Sequence, residues 1–263
     1  PAANVRWRMG SPVTPEELGR NANEVPHEVM LTNDYYIGIY PVTQRQYQRI
    51  QNSRPAYFSL ESDYMTRPVE QVSFEMVRAM VGYGCDWPKD GHKVPASSFI
   101  GRLRTLTGVN GFDLPTEAQW EFACRAGSGA ALYDGNELVD RTISSTLNPL
   151  ARYAREGRVN WGMPPSDSTA AHGTAKVGSY LPNAWGIYDM LGNVNEWCLD
   201  YYQDSPVGFD VERGPESGEK RVSRGANFNE EANMCRCAWR SGRPITASWP
   251  ADGFRLACSV DLN

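Results

Sequence analysis

The stretch NAWGIYDMLGNVNEWCLDYY, from Asn183 to Tyr202, gathers oxygen-bearing side chains around a turn signal at Gly192-Asn193. Asp189, Asn193, Asn195 and Glu196 offer hard oxygen donors there. Carboxylates with backbone carbonyls at a glycine bend suit calcium better than zinc, which takes histidine or cysteine. A polar hairpin tip held by Asx-turn hydrogen bonds fits the same spacing, so spacing alone leaves both open. A second group lies in Cys235-Arg-Cys-Ala-Trp-Arg240. Thiolates at Cys235 and Cys237 favour a soft ion such as copper(I), and disulfide partnership elsewhere is the structural alternative. Residues two apart on an extended strand share a face, which strains a bond between the two thiols themselves. Arg240 brings a fixed fork of donors for a carboxylate or phenolate, or for a structural ion pair. His27, His92 and His172 stand far apart in dissimilar contexts, and no GxSxG occurs, which leaves histidine-iron and serine-hydrolase chemistry unsupported.

These residues need positioning elements. Tyr35 to Tyr40, YYIGIY, predicts a strand. Thr43 with Gln46 three residues on forms a capping box for a helix carrying Tyr47 and Ile50. Ser73 is an N-cap ahead of Val77, Met80 and Val81 on one helical face, and a short helix is expected near Leu103 and Leu106. Thr116 and Gln119 box a further helix through Trp120 and Ala123 that stops at Gly127. Residues 1–34 read as polar and irregular, and 128–180 as a long ordered loop.

The chain has 263 residues, with 24 glycines, 18 prolines and few long apolar runs, which suits a core built from many turns and short elements. A net charge of −5 without a basic stripe gives nucleic acid no electrostatic footprint. No window has the uninterrupted apolar length of a membrane span. Six cysteines without a CxxC pair favour an oxidising compartment over a zinc cluster, and a first residue other than Met suits a processed chain.

The opening stretch resembles the NxxGLYDMxGNVWEW signature of the formylglycine-generating, sulfatase-modifying-factor family. Leu114 to Gly127, LPTEAQWEFACRAG, is nearly identical to that family's LPTEAEWEYACRAG, and RVSRGANF, RCAWRS and GFRLAC resemble its RVxRGGSW, RCAxRS and GFRLA. The resemblance runs roughly from Met9 to Cys258. It implies one α+β domain over 1–263, of the elaborated C-type-lectin-like type with little regular secondary structure. It implies a structural calcium held by Asp189, Gly192, Val194 and Glu196. An asparagine also survives in the patch matching a first calcium site, Val159 to Gly162 and Asp167 to Thr174. Cys85 and Trp87 match a Y-C-x-W, and Cys124 and Cys258 match elements joined by a disulfide, Cys258 lying two residues further along its strand.

Family enzymes bind copper through C-x4-C. Cys237 matches the second cysteine, Ala232 stands at the first, and Asn195 stands where they carry tryptophan. The candidate catalytic set is therefore Cys237, Cys235, Asn195 and Arg240. The expected function is a divergent family oxidoreductase acting on a small-molecule or peptidic substrate, in periplasmic or secreted maturation of a peptide siderophore chromophore of the pyoverdine type. The alternatives are formylglycine generation and a non-enzymatic lectin-like binder whose variable surface spans Asn227 to Asp252.

Overall fold

The computed structural model describes residues 2–14, 16–59, 63–78, 94–158, 172–204, 214–215 and 217–260. Met80, Val81, Cys85, Trp87, His92 and the 159–171 part of the first calcium patch lie outside them. The fold is α+β with little regular secondary structure, as expected. It departs from the sequence reading at the start: Val5–Met9 (β1) pairs antiparallel with His27–Leu31 (β2), with Trp7 opposite Val29. Val29, Leu31 and Met9 are buried beside Ala118, so a polar-looking segment hides an apolar edge in its alternation.

The YYIGIY strand is shorter than predicted. Only Tyr35–Ile37 (β3) pairs, and Gly38 already bonds outside the ladder to the Leu256 carbonyl. Helix α1, Gln44–Gln51, starts where its capping box lies: the Thr43 N–H donates to Gln46 Oε1 at 2.8 Å, and the Gln46 N–H to Thr43 Oγ1 at 3.3 Å. Phe74–Val77 (α2) is capped by Ser73, and Phe99–Thr107 (α3) by Ser98. After Phe112–Asp113 (β4) comes Glu117–Arg125 (α4), boxed by Thr116 and Gln119 and ended by Ala126 in the left-handed region one residue before Gly127. Ala154–Gly157 (α5) is a single turn in the expected loop region.

Asn195–Tyr201 (β5), Lys220–Arg224 (β6), Arg240–Pro244 (β7) and Asp252–Gly253 (β8) form a sheet in the order β7-β6-β5-β8. β8 runs parallel to β5 with Asn195 opposite Asp252, and the other pairs are antiparallel. Ala257–Ser259 (β9) lies between β3 and β4 in a separate three-stranded sheet. Helix α4 covers one face of the four-stranded sheet, with Trp120 in a core that includes Leu132, Met190, Leu191 and four cysteines. The other face packs Trp197 against Phe74 in a second core with Tyr47, Phe99 and Phe254.

Candidate functional site

The turn between Asn183 and Glu196 is built from Asx-type hydrogen bonds and left-handed residues. Asn183 Oδ1 accepts from the Trp185 and Ile187 N–H groups, both at 3.0 Å. Asp189, Gly192 and Asn193 all have positive φ. At Gly192 a Cβ would meet the Arg152 carbonyl oxygen at 2.1 Å, so only glycine fits that bend. Asn193 turns away from the bend and clasps the Ala175 backbone, Oδ1 accepting its N–H at 2.9 Å.

In the set expected to hold calcium, Asp189, Gly192, Val194 and Glu196, both carboxylates have protein donors. The Glu196 carboxylate accepts Arg255 Nε at 2.6 Å, Arg255 Nη2 at 2.8 Å and Trp120 Nε1 at 2.6 Å. Arg255 also donates to the carbonyls of Gly38, Tyr188 and Asp189. The positive charge this ring of oxygens requires is supplied by a guanidinium. A divalent ion on Glu196 would have to share it with that buried cation. The Asp189 carboxyl points to the Gly178 N–H at 2.7 Å, and burial pushes it up to about 6 against that bond and the Arg255 charge. Among the described residues no group of three or more His, Cys, Asp or Glu is arranged to hold a metal.

The expected catalytic set separates. Cys235 ends a 3-10 turn over Ala232–Met234, so it and Cys237 do not sit on an extended strand. Both are fully buried, and Cys237 Sγ lies 3.6 Å from Cys124 Sγ. The expected Cys124–Cys258 disulfide is corrected by the same geometry. The last turn of α4 faces the 235–237 segment, whereas Cys258 sits in the other sheet opposite Tyr36 and Phe112. Cys124 is a free thiol, and no disulfide joins it to Cys258. Burial pushes the Cys124 and Cys235 thiols up, and for Cys124 the neighbouring Cys237 adds to it, which disfavours the thiolate that a copper ion needs.

Arg240 is consumed by an ion pair. Its Nε and Nη2 each lie 2.7 Å from the two Glu117 oxygens. Glu121 bonds Arg125 Nε at 2.8 Å and also Arg224, whose guanidinium stacks over Trp120. Burial alone would raise the carboxyls of Glu117 and Glu121, but Arg240 and Arg224 at the first, and Arg125 and Arg224 at the second, hold both below the ordinary value. The strand register explains this lattice: Glu196, Arg224 and Arg240 stand in one row across β5, β6 and β7, beneath Glu117, Trp120 and Glu121 on one face of α4. The motifs that carry the family likeness thus build a buried polar scaffold.

Asn195, next to Glu196, points to the opposite face by strand alternation. Its Nδ2 donates to Asp252 Oδ1 at 3.0 Å, and its Oδ1 is buried with no hydrogen-bond partner. Arg243 Nε lies 3.4 Å from Asp252 Oδ1, the Trp249 N–H donates to Asp252 Oδ2, and the Arg243 guanidinium stacks 4.5 Å from the Trp249 ring centre. Phe58 and Phe228 close the apolar side at Ala251, whose carbonyl accepts the Asn195 N–H. Trp249 is 58% exposed and forms the outer edge. Burial raises the Asp252 carboxyl despite Arg243 and Asn195, making it a better proton acceptor once ionised. The group therefore offers an unpaired acceptor, a base, a guanidinium and an aromatic face. Asp252, Arg243 and Trp249 were missed in the sequence because the parallel β5–β8 register, which brings Asp252 to Asn195, leaves no local signal.

Residues 7–260 match the sulfatase-modifying factor enzyme 1-like domain, and the chain belongs to that family. The formylglycine-generating enzyme of Mus musculus is 33% identical over 270 residues, covering 90% of this chain and 69% of the mouse protein. Among solved structures, Treponema denticola variable protein 1 superposes with a TM-score of 0.73 at 24% identity, covering 98% of this chain and 93% of its own. PvdO from Pseudomonas aeruginosa superposes at 0.71 with 23% identity, covering 98% and 92%. At those identities the two structures establish the shared fold.

Proposed function

We propose that this protein is a divergent oxidoreductase of the family, acting outside the cytoplasm on a peptidic substrate in the maturation of a siderophore chromophore of the pyoverdine type. The observation that carries the proposal is Asn195. Where family enzymes resemble one another in a tryptophan wall, this chain has an amide with a buried, unpaired Oδ1 beside the Asp252 carboxyl. A site built around an orphan acceptor and a base selects a substrate that donates hydrogen bonds, such as a phenolic or amidine-bearing ring. In this proposal Trp249 stacks on the ring, Arg243 holds an anionic oxygen, Asn195 accepts from a ring hydroxyl or N–H, and Asp252 takes a proton from the bound ring. Thiolate-copper chemistry has less support, because Cys237 and Cys235 are sealed behind the sheet.

The test is complementation of a Pseudomonas aeruginosa strain lacking PvdO. The wild-type chain is expected to restore the mature fluorescent chromophore, and Asp252→Asn and Asn195→Ala to lose it while remaining folded. No restoration by wild type, or full restoration by Asp252→Asn, would overturn the proposal. A binding module without catalysis is the second reading, favoured by the exposure of Trp249 over Arg243. It is distinguished by a ligand that binds and leaves unchanged.

A further inference from the structure

A groove of about 420 Å³ lies on a different part of the molecule, between the β3–α1 connection, helices α1 and α3, and the start of β9. Its volume falls in the range of about 300–1,000 Å³ typical of small-molecule sites. Ile39, Tyr40, Ile50, Phe99, Leu103 and Leu256 make its walls, and no acidic side chain lines it. Two of these are open to solvent, Ile39 at 54% and Tyr40 at 42%. The groove is fixed from beneath: Tyr47 stacks on Phe99 at 5.3 Å, and the N–H groups of Gly38 and Val42 bond the carbonyls of Leu256 and Phe254. The apolar walls are therefore held apart by the fold.

The rim is cationic. Arg49 lines the groove from the last turn of α1, and it has no carboxylate partner among the described residues. Gln46, also in the lining, accepts the Thr43 donors through Oε1 in the capping box, which leaves its amide hydrogens as donors at the groove. An unpaired guanidinium beside an apolar groove, on a chain whose net charge is −5, forms a local site of opposite sign. Most other arginines in the structure are committed to carboxylates or carbonyls, as Arg240, Arg255 and Arg236 are.

The geometry points to a binding site for a free amphiphilic carboxylate, its unbranched apolar chain lying along Ile39, Ile50, Leu103 and Leu256 and its carboxylate on Arg49, with the Gln46 amide beside it. An apolar chain gains by leaving water for these walls, and the guanidinium fork fixes which end faces out. A cationic amphiphile of the same length meets a like charge instead. The site is independent of the Asn195–Asp252 group, so the two stand or fall separately.

Isothermal titration of the full chain with dodecanoate, below its micelle concentration, is expected to saturate at one molecule per chain. Arg49→Gln is expected to weaken binding about tenfold, and 0.5 M salt to weaken wild-type binding in the same direction, as exposed charges are screened. Ile39→Asp, at a solvent-facing position that leaves the core untouched, is expected to abolish it, with circular-dichroism melting confirming the fold. Dodecyltrimethylammonium is expected to bind at least tenfold more weakly than dodecanoate. The inference is overturned by absence of dodecanoate binding, by equal binding of the cationic amphiphile, by unchanged affinity in a folded Ile39→Asp, or by binding to anionic phosphatidylglycerol vesicles without binding of monomeric dodecanoate.

Discussion

Glu70 provides a test of the buried electrostatics that does not depend on knowing the substrate. Its side chain is fully buried, and its two oxygens accept the N–H groups of Phe58 at 2.8 Å and Tyr57 at 3.1 Å. Burial pushes its carboxyl from 4.5 up to about 8, outweighing those two bonds and the Arg67 charge. Because the folded value lies above the unfolded one, the native state holds a proton that the unfolded chain has lost between those two values. The group's stabilising contribution is complete below 4.5 and falls as pH rises towards 8. At 1.36 kcal/mol per pH unit the whole window corresponds to about 5 kcal/mol. Glu70→Gln removes the titration, but its amide nitrogen cannot accept the Tyr57 N–H, which costs about 1–3 kcal/mol at every pH. The variant should therefore be less stable than wild type by about 1–3 kcal/mol near pH 4.5 and more stable by about 2–4 kcal/mol at pH 9. Urea unfolding followed by tryptophan fluorescence across that range gives the difference directly, with contributions from other groups cancelling. A wild-type minus variant difference that stays flat with pH would refute a protonated Glu70 at neutral pH.

Glu117→Gln should destabilise by about 3–5 kcal/mol at pH 7, because it leaves Arg240 buried without its counter-charge. Since the folded Glu117 value is lowered, that deficit should shrink as pH falls through it, and calorimetry at pH 7 and pH 4 checks both statements. Mild oxidation should link Cys124 to Cys237, with about 2–4 kcal/mol of stabilisation from closing so long a loop. Peptide mapping without reductant that finds a Cys124–Cys258 peptide would contradict the geometry. Chelation should leave the melting temperature unchanged at the Glu196 turn, because Arg255 already neutralises that carboxylate. A calcium-dependent rise abolished by Glu196→Gln would reverse this conclusion.

Local chemistry was legible in the sequence where it is decided locally. The Thr43–Gln46 and Thr116–Gln119 boxes and the Ser73 cap mark helix starts because cap and acceptor lie within one turn of each other. The stop of α4 falls one residue before the glycine because Ala126, like Gly127 after it, takes a left-handed conformation. The Gly192 bend was legible as a turn, but not what its oxygens face, since Arg255 reaches Glu196 across 59 residues of chain. The same limit separated the proposed catalytic four. Alternation predicts that Asn195 and Glu196 point to opposite faces, but which face meets α4, and that Arg240 falls in line with Arg224 and Glu196, follows only from the sheet register. Cysteine pairing failed for the same reason: Cys124 and Cys258 belong to different layers.

The position of β9 bears on how the chain reaches its native state. Residues 35–37 and 112–113 form strands that do not pair with each other, and each finds its ladder only on residues 257–259. During vectorial synthesis both therefore leave the ribosome with open edges, and they keep them until more than two hundred residues have been made. Arg255, two residues before β9, locks Glu196 in the same late stretch, so sheet closure and charge neutralisation of the central turn arrive together. Such long-range closure makes for slow refolding and a vulnerable nascent chain, and a chain cut before residue 255 would lose both devices in one stroke.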